Sequence, residues 1–230
     1  MLIAIHQPNY MPWQGYFHKI AKADHFVFLD DVQFPKQGYV NRTQILEGGH
    51  SSWLTVPARP SLGTSINKVR AGQNGWPERH LSRLRNVYRK SSAFKEVWTV
   101  IENAYGALDL DAGIATSNRQ LIIEFSARLG LQCKFTVASA CPNPTGLTGG
   151  DRLVDLVARI GGTAYLSGRG GAKYQNPAAF TAAGLDLVYT EFEPQPYHQA
   201  SEGFTPGLSI VDAVFNLGFE AAADLLQMEG

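Results

Sequence analysis

The stretch that decides the fold is residues 3–22, IAIHQPNYMPWQGYFHKIAK. An apolar run at residues 2–5 is too short for a helix, and a loop stiffened by two prolines follows it. Phe17, Ile20 and Ala21 then recur at the spacing of one helix face. A strand, a turn and a helix in this order form the first half of a parallel crossover unit, so the stretch predicts an α/β fold.

Five polar or aromatic side chains follow the end of this first strand: His6, Gln7, Asn9, Trp13 and Tyr16. In open α/β sheets the carboxyl ends of the strands are where ligands bind. A purely structural interpretation, in which His6 and Gln7 only cap a turn, stays open. The concentration of such side chains on one short, rigid loop favours a binding site.

Several blocks of sequence resemble the WbqC-like family of bacterial proteins. They are HQPNYMPWQGYFHKIAKADHFVFLDDVQFPK at residues 6–36, and NRTQI, WLTVP, YLSGRGGAKY and LSIVDAVFNLG further along. The resemblance covers nearly the whole chain. It implies the family's fold and its link, through gene surroundings, to surface-polysaccharide and related small-molecule biosynthesis. It does not imply a particular reaction.

Length and composition describe an ordinary globule. The 230 residues contain 44% hydrophobic and 17% charged residues, and 20 basic residues balance 20 acidic ones. Neither nucleic acid nor a membrane is indicated as a partner, because no basic excess exists and no apolar run approaches ~20 residues. The chain start lacks a basic n-region, so we expect a cytoplasmic protein. We predict a single domain over 1–230, with a helical insertion at about 72–110.

The two cysteines differ in their surroundings. Cys133 lies in an apolar run, which is typical of a buried hydrophobe, whereas Cys141 in a loop is the better candidate for a reactive thiol. A disulfide is not expected in this compartment. The sequence predicts no metal site and identifies no cofactor.

The second predicted strand, residues 26–29, runs into Asp30 and Asp31. Adjacent residues of an extended segment point to opposite faces, so at most one aspartate faces a given site. Asp30 is our candidate, and a turn with one capping aspartate is the alternative. The loop that follows is predicted to return to the carboxyl ends of the strands and to bring positive charge toward Asp30 or an anionic ligand. Its residues in this role are Lys36, Asn41 and Arg42.

A glycine-rich segment, SGRGGAKY at residues 167–174, follows a predicted strand at 164–166. Glycines let the backbone approach a ligand, and successive N–H groups can line an anion-binding nest. The spacing is not that of a Walker loop. The alternative is a tight turn with solvated cations. The predicted substrate-binding residues here are Ser167, Gly168, Arg169, Lys173 and Tyr174.

The rest of the chain alternates between strand and helix patterns. Residues 52–57 and 66–69 are predicted to pair as antiparallel strands. Further strands are predicted at 133–137 and 185–189, and helices at 78–91, 94–105, 114–129, 151–160 and 208–217. The breaker-rich loop 140–150 is predicted to be a mobile cover. Asp212, in an apolar helix, belongs either to a structural network or to the site.

Together these patterns predict an α/β protein with a mainly parallel sheet and flanking helices, of Rossmann-like type. Nucleotidyltransferases of the H-x-G-H type offer an analogy for the first loop. The corresponding residues here are Trp13-Gln14-Gly15-Tyr16, which keep the glycine and replace both histidines. Because neither Trp nor Tyr can stabilise phosphate charge as a cation, adenylyl transfer is in doubt.

Our first functional hypothesis is a small-molecule transferase in sugar or polysaccharide precursor modification, with acyl or aminoacyl transfer to an amine. His6 is its predicted general base or acid, assisted by Asp30 or His198. The predicted partner is a small-molecule substrate, and Arg42, Arg169 and the backbone of residues 168–171 would receive an anion such as phosphate or carboxylate. The alternatives are a non-catalytic module that binds a nucleotide-sugar or a carrier protein through the same pocket, and a diverged nucleotidyltransferase. Nucleic-acid binding has no basic stripe to support it.

Overall fold

A computed structural model describes residues 1–72 and 75–227, except for the side chains of Lys173 and Tyr174. Its seven strands are β1 Leu2–His6, β2 His25–Phe28, β3 Arg42–Glu47, β4 His50–Thr55, β5 Lys134–Val137, β6 Ala164–Gly168 and β7 Asp186–Thr190. Five of them form one sheet in the order β5-β2-β1-β6-β7, and every neighbouring pair is parallel. The predicted α/β, Rossmann-like fold is confirmed.

The helices are α1 Gln14–Lys22, α2 Trp76–Tyr88, α3 Phe94–Gly106, α4 Ile114–Arg128, α5 Gly149–Arg159, α6 Pro177–Ala182, α7 Ile210–Leu217 and α8 Phe219–Gln227. The predicted helices are all present, with α2 and α3 in the segment predicted as an insertion. The sequence analysis missed α6 and α8. Among the described residues, no helix has the length and apolar character needed to cross a membrane.

Alternation along β1 divides the core between the two faces of the sheet. Ala4 faces the side on which Phe17 and Ile20 of α1 pack, together with α4, α7 and α8. Ile3 and Ile5 face the opposite side, where they pack against α5 and α6. The first strand is therefore buried on both faces, which is the reason that it reads as a continuous apolar run.

The order of the strands creates a crevice next to β1. From β1 the chain moves outward to β2 and β5, and it then returns through α5 to β6, on the other side of β1. The helices that follow β1 and β6 consequently diverge from the carboxyl edge. Ligands bind at such a switch point in open α/β sheets.

The predicted pairing of residues 52–57 with 66–69 is wrong. Strand β4 pairs instead with β3, and Ile66–Lys68 forms a 3₁₀ helix. The turn between β3 and β4 is Gly48-Gly49, and both glycines have positive φ angles, 60° and 81°. Two such residues form the tight hairpin turn whose twist matches that of the strands, so this dipeptide is the hairpin signal.

Candidate functional site

A cavity of about 830 Å³ opens at the carboxyl edge of the sheet, at the switch point between β1 and β6. Seven of the predicted site residues line it: His6, Gln7, Trp13, Tyr16, Ser167, Gly168 and Arg169. The ends of β1 and β6 thus contribute residues to the same cavity. Glycines at the starts of α1 and α5, Gly15, Gly149 and Gly150, also face the cavity.

His6, the last residue of β1, is held in one orientation by its neighbours. Its Nδ1 donates to the carbonyl oxygen of Gln7 at 3.1 Å, and the Tyr16 hydroxyl donates to the same oxygen at 2.9 Å. The Tyr16 ring stands edge-on to the imidazole, 4.9 Å between centroids. Because Nδ1 is the donor, Nε2 is left as a proton acceptor.

Burial decides the charge of this imidazole. Desolvation, with a further contribution from Lys19, lowers the pKa of His6 to about 4. At neutral pH the side chain is therefore uncharged, and a proton that it accepts is readily released again. His6 can serve as a general base, and it cannot serve as a general acid in the resting protein.

Lys19, on α1, is a cavity residue that the sequence analysis missed. Its side chain is only 6% exposed, its Nζ donates to the carbonyl oxygen of Ile5 at 2.9 Å, and it lies 5.6 Å from the centre of the Tyr165 ring. Burial lowers the pKa of Lys19 to about 7. Lys19 follows Tyr16 by three residues, and that spacing, which puts both on one helix face, is the sequence signal that identifies it.

Aromatic side chains form one wall of the cavity. The rings of Trp13 and Phe192 meet edge to face, 5.7 Å between centroids. The Trp13 ring also covers Gly15, where an added Cβ would lie 2.3 Å from the indole. The glycine of the Trp13-Gln14-Gly15-Tyr16 sequence is thus required by the position of the indole ring.

The glycine-rich segment ends β6 and forms a 3₁₀ helix, Arg169–Tyr174. The Ser167 hydroxyl accepts a hydrogen bond from Gln175 Nε2 at 2.7 Å. Arg169 lies at the rim, where its guanidinium pairs with Glu191, and both side chains are exposed. The side chains of Lys173 and Tyr174 lie outside the described part of the structure.

Asp30 does not share the cavity with His6. Its carboxylate accepts hydrogen bonds from Ser139 N and Oγ at 2.9 and 2.8 Å, and Arg119 lies 3.5 Å away. These partners hold Asp30 buried on the side of the sheet edge where β5 ends. Its neighbour Asp31 pairs with Arg152 at 3.0 Å. Arg152 lines the cavity, whereas Asp31 does not.

The predicted return of Lys36, Asn41 and Arg42 to the cavity is not observed among its lining residues. Asn41 Nδ2 donates to the carbonyl oxygen of Val56 at 2.9 Å. Arg42 stacks on Trp53 of β4, 4.2 Å from the ring centre, and Lys36 is exposed. Pairing of β3 with β4 carries these residues away from the sheet edge. Asn9 is buried outside the cavity lining.

His198 is exposed and does not line the cavity, because its neighbours are anchored elsewhere. The Tyr197 hydroxyl and Gln199 Nε2 donate to Asp212 at 2.7 and 3.0 Å, and Tyr88 donates at 3.0 Å. Burial raises the pKa of Asp212, although these donors oppose the shift. Of the two interpretations of Asp212, the structure supports the network.

The cavity combines an uncharged imidazole, a buried amine, an aromatic wall and the glycines at the starts of α1 and α5. Among the described residues, no group of three or more His, Cys, Asp or Glu side chains could hold a metal ion. Further lining residues that the predicted site does not include are Arg152, Tyr165, Gln175, Glu191 and Phe192.

Comparison with known proteins relates the whole chain to one family. No solved structure matches it. It is 29% identical over 222 residues to an uncharacterized protein of Mycobacterium tuberculosis, and the match covers 95% of each chain. The model of the WbqC-like protein family matches residues 7–224, and membership supports a function associated with polysaccharide biosynthesis at the level of the family. The chain belongs to the WbqC-like protein family.

Proposed function

We propose that this protein is a small-molecule transferase that modifies a sugar or polysaccharide precursor by acyl or aminoacyl transfer to an amine. The observation that carries the proposal is the hydrogen bond from His6 Nδ1 to the Gln7 carbonyl oxygen, which leaves Nε2 unprotonated in a residue that lines the cavity at the switch point of the sheet. Family membership supports the biosynthetic context. The cavity volume, about 830 Å³, lies within the range of pockets that bind small molecules.

In this reaction the acceptor amine attacks the acyl carbonyl of the donor and forms a new C–N bond. His6 Nε2 takes the proton that the amine nitrogen loses. When the tetrahedral intermediate collapses, the bond to the donor's leaving group breaks, and the imidazolium returns the proton to that group. The lowered pKa of His6 makes this second transfer favourable.

The aromatic wall supplies a surface for the precursor. Trp13 and Phe192 present ring faces and edges on which a sugar or another flat group can pack, with Tyr16 on the side of His6. Tyr16 also fixes the Gln7 carbonyl that orients His6. Tyr16 therefore contributes both to the surface for the precursor and to the orientation of His6.

The test begins with mass spectrometry of small molecules that co-purify with the protein, which identifies the donor or acceptor. Amino-sugar nucleotides are then incubated with acyl thioesters or acyl adenylates, and amide products are detected by mass. We expect His6→Ala to lower turnover about 10²- to 10⁴-fold with little change in ligand affinity. His198→Ala, an exposed histidine outside the cavity, is the matched control and should be fully active.

Equal loss of affinity and turnover in His6→Ala would contradict the role of a base. Tight ligand binding with no product from any donor and acceptor pair would instead favour the non-catalytic alternative, a module that binds a nucleotide-sugar or a carrier protein.

A further inference from the structure

The buried amine of Lys19 has no acidic partner among the described residues. Its one hydrogen bond acceptor there is the carbonyl oxygen of Ile5, at 2.9 Å. The ion pairs of the described residues involve other cations, and the buried Arg152 has two carboxylates, those of Asp31 and Asp155. When it is protonated, Lys19 carries three donors and a full charge, so the charged form of this site lacks an anion.

The groups that face Lys19 from the neighbouring elements do not supply that anion. From β1 and β6 they are the uncharged His6 and the Tyr165 ring, and Arg152 of α5, which lines the same cavity, is a cation that is already paired. Acidic side chains are confined to the rim, where the half-exposed Glu191 pairs with Arg169. Glu193 lies on the same exposed segment. The inner part of the cavity is thus lined by groups that are neutral or positive.

Two helix starts add to this positive character. Helices α1 and α5 begin at the cavity, and neither has a hydrogen bond from an N-cap side chain to its first turn. Helix α1 has no acidic residue in its first turn, so its start is the more positive of the two, whereas α5 carries the exposed Asp151 there. The free N–H groups of a helix start, with the positive end of the helix dipole, favour an anion.

We propose that Lys19 is the anion-binding residue of this cavity, and that a phosphate or carboxylate of the precursor is its missing counter-ion. This inference deepens the proposed function, since it assigns the substrate an anionic group and assigns that group a partner. It differs from the sequence prediction, in which Arg42, Arg169 and the backbone of residues 168–171 receive the anion.

Anion binding should be coupled to uptake of a proton. In the free protein the amine is mainly uncharged at about pH 8, because burial lowers its pKa to about 7. A bound anion favours the ammonium and raises this pKa, so each ligand that binds recruits a proton to Lys19. Apparent affinity should then fall as the pH rises above 7, by up to about tenfold per pH unit.

Titration calorimetry at about pH 8, in Tris and in Hepes, measures the protons taken up, because the two buffers release different heats on ionisation. The probes are inorganic pyrophosphate and uridine diphosphate for the phosphate class, and glycolate and N-acetylglycine for the carboxylate class. We expect close to one proton per ligand for the class that fits. The two classes thereby distinguish phosphate from carboxylate.

Variants at Lys19 separate charge from packing. Lys19→Met should weaken binding of the same probe at least about tenfold and should abolish proton uptake. Lys19→Arg should retain part of the affinity without proton uptake, because arginine is always charged. It also keeps the test available if the Met variant does not fold.

Binding by the wild-type protein without proton uptake would overturn the inference, as would unchanged affinity in Lys19→Met. Failure of every probe to bind at up to about 10 mM would also overturn it. None of these results bears on the transfer reaction itself, which is tested separately by product formation and by His6→Ala.

Discussion

Lys19 Nζ donates to the carbonyl oxygen of Ile5 at 2.9 Å, so helix α1 is tied to the end of the central strand by a buried amine. Ile5 directly precedes His6, and the contact sets the amine beside the imidazole at the cavity. Burial lowers the pKa of both groups, and the Lys19 charge lowers the pKa of His6 further. Above about pH 7 both side chains are therefore mainly uncharged.

This contact makes stability depend on pH. The pKa of Lys19 is about 7 in the folded protein and 10.5 for an ordinary lysine, so between these values the unfolded chain binds more protons. Stability should rise with pH across this window, by up to about 1.4 kcal/mol per pH unit from this residue. Below pH 7 the cost of the buried charge is fully present.

Urea unfolding between about pH 7.5 and 9.5 measures this dependence. Lys19→Met should flatten the rise, and Lys22→Met, which replaces an exposed lysine of the same helix, should leave it as in the wild type. Identical slopes in Lys19→Met and the wild type would show that the amine is not buried in the way described.

Gly15→Ala should damage the aromatic wall. The new Cβ would lie 2.3 Å from the Trp13 ring, which must then move away from Phe192. We expect a loss of about 1–3 kcal/mol in the free energy of unfolding. Gly106→Ala, at the end of α3 with no atom within 4 Å of its Cβ position, is the control and should be neutral or slightly stabilising. Quenching of Trp13 fluorescence by acrylamide reports the movement.

Asp212→Ala should be among the most destabilising single substitutions. It leaves the buried donors of Tyr88, Tyr197 and Gln199 without their common acceptor, at about 1–3 kcal/mol for each unpaired group. Tyr197→Phe removes one donor and keeps the acceptor, so its cost should be about 1 kcal/mol. Denaturant midpoints compare them, and equal costs would argue against a shared network.

The loop over residues 140–150 remains a predicted mobile cover. Arg152 holds its first part, since Nη2 donates to the carbonyl oxygen of Cys141 at 2.9 Å, and Asn143 hydrogen bonds to Leu147 at 2.8 and 3.0 Å. We expect hydrogen exchange to be faster at 143–148 than in α5, and to slow when a ligand fills the cavity. Slow exchange at 143–148 without ligand would contradict a cover.

Much of the fold could be predicted because the signals are local. Buried parallel strands read as short apolar runs and helices repeat at their own period, so β1, α1 and most later elements were identifiable. Helices α6 and α8 were missed, and so was the hairpin of β3 and β4. Its signal was the Gly48-Gly49 turn, and the competing apolar run at residues 66–69 proved to be a 3₁₀ helix.

The sequence by itself determined that the ends of β1 and β6 meet, and hence that His6, Trp13, Tyr16 and Ser167 share a cavity. Parallel strands place their carboxyl ends at one edge whatever packs around them. Only the tertiary structure decided which charged groups enter that cavity. Asp30 turns toward Ser139, which lies 109 residues away in the chain. The burial that lowers the pKa of Lys19 includes Tyr165, which is also far from it in sequence. Side-chain direction in a loop and the pKa of a buried amine depend on long-range partners and on desolvation, which no local pattern records.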